Sequence, residues 1–117
     1  MLQEQDFIIA GYVESESCAF FALILALTEE DPLRYAGWVE TALSTPAWLP
    51  LKQKFEPLAR KTSPFPHQLP QVIRRLAHWI EPRLVARVAF VAFTVDGLVQ
   101  QPTYRGIREI HAEYKST

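Results

Sequence analysis

His78 to Arg108 reads HWIEPRLVARVAFVAFTVDGLVQQPTYRGIR. Leu84 to Val95 is β-branched, apolar and aromatic, the composition of a half-buried or buried strand. Asp96-Gly97 then marks a hairpin turn, because glycine enters positive φ without a steric penalty. Leu98 to Ile107 returns as a second extended run. The chain therefore ends on an antiparallel pair.

Working back from the hairpin, Gln71 to Ile80 is ambiguous. Val72, Leu76 and Trp79 suggest a helical turn. Thr62 to Pro70 holds three prolines and reads as a loop. Ser44-Thr45-Pro46 signals a helix start, a hydroxyl before a proline at the first helical position. Trp48, Leu51, Phe55, Leu58 and Ala59 then carry an apolar stripe to about Arg60, with Pro50 near the first turn and Pro57 expected to kink the last. Upstream lie three strands. Asp6 to Val13 contains Gly11, which suggests a bulge or a close backbone approach. Ala19 to Thr28 is apolar on both faces, as a doubly covered strand is. Leu33 to Leu43 follows the Glu29-Glu30-Asp31-Pro32 turn.

The 117 residues suit a single domain spanning 1–117 with one modest core. About half are apolar (49%) and a fifth charged (21%), an ordinary globular composition. Cys18 is the only cysteine, which excludes an intrachain disulfide and fits a reducing, cytoplasmic setting. The N-terminal MLQEQDF lacks a signal-peptide pattern. The longest apolar run, Cys18 to Leu27, is far short of the roughly 20 residues of a membrane-spanning helix, so no membrane partner is expected.

The net charge of −1 hides a division. Residues 1–51 carry eight acids against one base, and residues 52–117 eleven bases against five acids. Either the basic half meets a polyanion, or the two halves complement each other within the fold.

Several motifs in order resemble the C-terminal domain of ATP-dependent DNA ligases, especially the bacterial end-joining type. Phe7 to Tyr12 (FIIAGY) is similar to the family's F-V-I-G-G-Y opening, and Leu33-Arg34-Tyr35-Ala36-Gly37 to its L-R-Y-x-G strand. Thr62-Ser63-Pro64-Phe65 matches a T-S-P-F loop, and His78-Trp79-Ile80-Glu81-Pro82 an H-W-V-x-P element. The resemblance implies a mainly β fold, a five-stranded OB barrel with one helix between strands 3 and 4. For Gln71 to Ile80 it implies, against the helical turn, an extended segment leading into the next strand. It implies a basic surface laid on duplex DNA as an accessory to a separate nucleotidyltransferase domain. No K-x-D-G motif, the family's lysyl-AMP signature, occurs in the sequence, so this chain alone is not expected to ligate DNA, and no cofactor is expected. The candidate DNA-binding cations are Lys52, Lys54, Arg60, Lys61, Arg74, Arg75, Arg105 and Arg108.

The nucleotide-facing motifs depart from the family. Its final R-x-D-K reads Arg108-Glu109-Ile110-His111, and its upstream R-x-P reads Gln100-Gln101-Pro102. The G-x-V-G-T-G-F strand reads Gly37-Trp38-Val39-Glu40-Thr41-Ala42-Leu43, losing two glycines and gaining an acid. Assistance to self-adenylation is therefore not expected.

Other groups carry weaker signals. His67, His78 and His111 lack zinc-ligand spacing, and Ser17 and Cys18 lack a nucleophile signature. Trp38, Trp48 and Trp79 suit either a core or base stacking. Arg87, Ala89 and Ala92, with Phe21, Ala22 and Ala26, make the expected outer sheet face more apolar than the family's. That face suggests a homodimer or a protein-docking module without DNA affinity.

Overall fold

The computed structural model describes residues 2–15, 20–27, 33–41, 45–65 and 69–109. Its elements are β1 (Gln3–Ser15), β2 (Phe20–Leu27), β3 (Tyr35–Glu40), α1 (Thr45–Phe55), a 3-10 turn (Glu56–Leu58), β4 (Ala59–Arg60), α2 (Gln71–Leu76), β5 (Ala77–Ile80), β6 (Leu84–Phe90) and β7 (Thr103–Glu109).

The long first strand organises the sheet. β1 pairs antiparallel with β2 from Phe7 to Ser15. On its other edge it pairs first with β6, from Gln3 to Ile8, and then with β5, from Gly11 to Val13. A bulge between Ile9 and Gly11 makes this change of partner possible. Gly11 is required there, because a Cβ would lie 2.7 Å from the His78 carbonyl oxygen of β5. The glycine read as a bulge or a close approach thus stands beside the bulged Ala10 and makes the close approach itself.

β2 is covered on both faces, as its unbroken apolar run implies: Ala22 to Ala26 are wholly buried. Leu23 and Leu25 face a core with Phe7, Ile9, Tyr12, Val39, Val88 and Phe90, closed at one end by Leu51 and Phe55 of α1. The ring of Phe55 stacks on Tyr12 at 5.2 Å. Ile24 and Ala26 face a second cluster, roofed by Phe65, Leu69 and Ile73. The proline-rich loop thus supplies core residues.

The fold is mainly β and of the OB type, with corrections of detail. Among the described residues there are seven strands, not five, because the short β4 and β5 add further pairing along β1. Among the described residues the ladder does not close into a barrel: β7 pairs with β6 alone. The gap to β3 is spanned by the Val99 N–H donating to the Ala36 carbonyl at 2.9 Å. Two α-helices are present among the described residues, not one. The ambiguous 71–80 segment uses both readings, helix to Leu76 and strand from Ala77. α1 stops at Phe55, not Arg60, because Pro57 lacks the N–H that would continue it and sits in the 3-10 turn.

The terminal hairpin holds, with altered bounds. Its ladder ends at Ala89 and Thr103, the strands touch again at Phe93 and Val99, and the turn is closed by the Thr94 N–H on the Leu98 carbonyl. Gly97 takes φ +83 at the turn.

The apolar outer face is also corrected. Ala22, Ala26 and Ala89 are buried within the chain, Ala26 under the second cluster. Arg87 is drawn onto Glu4 at 2.9 Å and Asp6 at 3.2 Å. Phe21 adds nothing here, since its side chain lies outside the described part. Ala92 is half-buried, and of the small residues read onto that face Ala22, Ala26 and Ala89 do not reach the surface.

Candidate nucleic-acid interface

The eight candidate cations fall into three groups. Lys52 and Lys54 ride on α1. Lys52 is committed to Glu14 of β1 at 3.1 Å, and its hydrogen bond to that carboxylate raises the ammonium pKa above the ordinary lysine value. With the Arg87 pairs, this contact joins the basic half of the chain to the acidic half. Part of the charge division is therefore internal complementarity.

Arg60, Lys61, Arg74 and Arg75 form the second group, gathered by the second apolar cluster. Arg60 stands opposite Trp79 across the β4–β5 pair. The Trp79 ring meets Phe65 edge-on at 6.1 Å, and Phe65 packs with Leu69 and Ile73, which introduce and carry α2. Arg74 donates from Nε to the Leu69 carbonyl at 3.0 Å, which ties α2 to its leading loop. Arg60 bridges to Glu81 at 3.3 Å. Lys61 and Arg75 are exposed, and neither makes an ion pair among the described residues.

The third group is on β7. Gly106 at φ +137 marks a bulge in the β6–β7 ladder, at which Arg105 is the extra residue and is exposed. Arg108 opposes Val85, and its side chain lies outside the described part, as do Ile110 and His111. The R-x-D-K departure thus rests on sequence.

Beside the second group lies a groove that sequence reasoning missed. It encloses about 680 Å³ between β3, α2 and the hairpin leading to β7. Trp38 and Glu40 come from β3, Val72 and Leu76 from α2, and Leu98 and Pro102 from the hairpin. Trp38 is 42% exposed, Val72 65% and Leu76 52%. The available signal was the i, i+4 pair Val72 and Leu76, which no core claims, alongside a tryptophan on a strand whose alternate residues are buried. Tyr35 lies at the same groove. Burial pushes its phenol up to about 12.

The remaining sequence candidates have packing roles or fall outside the description. The His78 ring stacks on Tyr12 at 5.0 Å, and Trp79 is half-buried in the second cluster. His67, Ser17 and Cys18 lie outside the described residues, as does the Trp48 side chain. Among the described residues no three His, Cys, Asp or Glu side chains converge as a metal site. None of the described helices is long and apolar enough to cross a membrane.

A rolled antiparallel sheet with a helix at one end is the architecture of an OB-type domain. The chain belongs to the ATP-dependent DNA ligase C-terminal region family, whose model matches residues 16–110. It is 31% identical over 110 residues to the multifunctional non-homologous end joining protein LigD of Pseudomonas aeruginosa, covering 90% of this chain and 13% of that protein. The Mycolicibacterium smegmatis LigD is 33% identical over 107 residues, covering 89% and 14%. The crystal structure of the ligase domain from Mycobacterium tuberculosis LigD superposes with a TM-score of 0.81 at 30% identity, over 92% of this chain and 35% of that one. A mycobacterial DNA ligase D complexed with ATP and MES gives 0.80 at 29% identity, with the same coverage. The chain thus spans about a seventh of these curated relatives and about a third of the ligase domains.

Proposed function

We propose that this domain grips duplex DNA for an ATP-dependent, end-joining type of ligase, working with a separate nucleotidyltransferase domain that forms the lysyl-AMP. The observation that carries the reading is that Arg60 stands opposite Trp79, which packs in the same apolar cluster as Ile73 of α2, the helix that bears Arg74 and Arg75. In this reading the exposed Lys61 and Arg75 contact phosphates. Arg60 can exchange Glu81 for a phosphate, and Arg105 extends the surface from β7. Arg74 serves mainly to seat α2. Lys52 is held by Glu14 and contributes least.

The domain's part is electrostatic positioning, not chemistry. Each phosphate neutralised releases condensed counterions, which favours binding without reading sequence. The family's nucleotide-orienting cation and acid are replaced by His111 and Ile110, so adenylation would rest on the partner domain's own residues. The K61A/R75A double variant should weaken duplex binding equally for unrelated sequences. It should also lower the salt slope by about 2, since two phosphate contacts go. Fluorescence anisotropy across a salt series measures both. An unchanged slope would remove these residues from the interface.

A further inference from the structure

The groove beside α2 is built unlike the basic flank. Its interior presents an indole, aliphatic side chains and one carboxylate, Glu40. A phosphate chain laid along that floor would meet a like charge. At its ends the sign reverses. Arg34, exposed on the segment entering β3, places its guanidinium 3.2 Å from where a Cβ on Gly97 would be, next to Leu98 of the lining. Arg75 follows from the α2 edge that exposes Val72 and Leu76. Cations at the rims and an acid inside fit a ligand whose backbone stays at the rims while a neutral, flat group enters. A nucleobase is such a group: it stacks on an aromatic face whatever its identity, and its amino group can donate to a carboxylate. The volume of about 680 Å³ is within the usual range for a small-ligand site.

We infer that this groove binds an unpaired nucleobase at a DNA end, stacked on Trp38 and bounded by Val72 and Leu76, with Glu40 accepting from its amino group and Arg34 and Arg75 on the flanking phosphates. The inference rests on the proposed DNA-handling role and deepens it: the basic flank holds the duplex, and the groove takes the first base beyond it. Thymine, which has no amino group, is the poorest occupant.

The test compares the full chain on a blunt duplex and on the same duplex bearing a short cytosine overhang, by anisotropy and tryptophan fluorescence. The overhang should tighten binding at least fivefold and quench fluorescence, because stacking one base contributes about 1–3 kcal/mol. W38A should bring the overhang substrate down to the blunt value and leave blunt-duplex binding unchanged. W38F should recover part of the gain, and thermal melting should show both variants folded. E40Q should narrow the gap between cytosine and thymine overhangs. Equal binding of blunt and overhang duplexes overturns the inference while leaving duplex binding intact. An overhang preference that survives W38A overturns it as well. If W38A instead abolishes association with a purified nucleotidyltransferase domain and spares the overhang preference, the groove is a protein-docking site and the inference fails. Loss of blunt-duplex binding in the unmodified chain would count against the proposed function, a distinguishable outcome.

Discussion

Tyr35 illustrates how one buried polar group leaves a measurable trace. Its ring lies edge-on to Phe65 at 5.9 Å, and burial pushes the phenol from 10.0 up to about 12. The folded state therefore holds this proton more tightly than the unfolded chain does. Its contribution is fully present below pH about 10 and is lost as pH rises toward 12. With partial solvent screening allowed for, the loss is at most about 2 kcal/mol. Urea unfolding of Y35F should show a shallower alkaline decline than the unsubstituted chain over that window. Identical pH profiles would show that the buried phenol is not a determinant. Other single residues changed meaning between sequence and structure. Lys52 reads as a phosphate ligand in a basic helix, but Glu14, 38 positions earlier, claims it. Arg87 is likewise held by the acids of β1. Such long-range pairs cannot be seen in a linear charge count, because register decides which acid meets which base.

At the scale of elements, local signals were legible wherever a residue type dictates backbone geometry. Asp96-Gly97 gave the hairpin, Gly11 the bulge and the doubly apolar second strand its two covered faces. What stayed hidden depends on tertiary packing. Residues 71–80 can be helix or strand by periodicity, and only the covering of Ile24 and Ala26 by Ile73 and the pairing of Ala77–Trp79 with β1 divides them. The small residues taken for an exposed face, Ala22, Ala26 and Ala89, are small because other elements lie over them. Gly11 makes the element-scale prediction. Because β5 crosses β1 with no room for a methyl group, G11A should force the strands apart and cost about 1–3 kcal/mol. Hydrogen exchange should rise first at the β5 amides. Wild-type protection there would mean that the backbone accommodates the methyl elsewhere.

For the whole molecule, the resemblance and the ladder agree on ancestry, and the charge distribution argues about use. The ligase-type scaffold is kept from the first strand to the final hairpin. The residues that differ, Glu40, Ala42, Gln100, Ile110 and His111, are those the resemblance places toward nucleotide. The candidate site was legible in part: Arg60, Lys61, Arg74 and Arg75 were identifiable as basic residues, but the packing of Trp79, opposite Arg60, with Ile73 of α2 was not. The groove was invisible because its walls come from three separate segments. The central claim is that the domain holds duplex DNA through about four phosphate contacts. The most direct measurement is duplex affinity between about 50 and 200 mM salt. The expected result is a linear fall of log K with log salt, with a slope near −3.6 and roughly a hundredfold loss across the range. Absence of binding at the lowest salt, or affinity indifferent to salt, would contradict it.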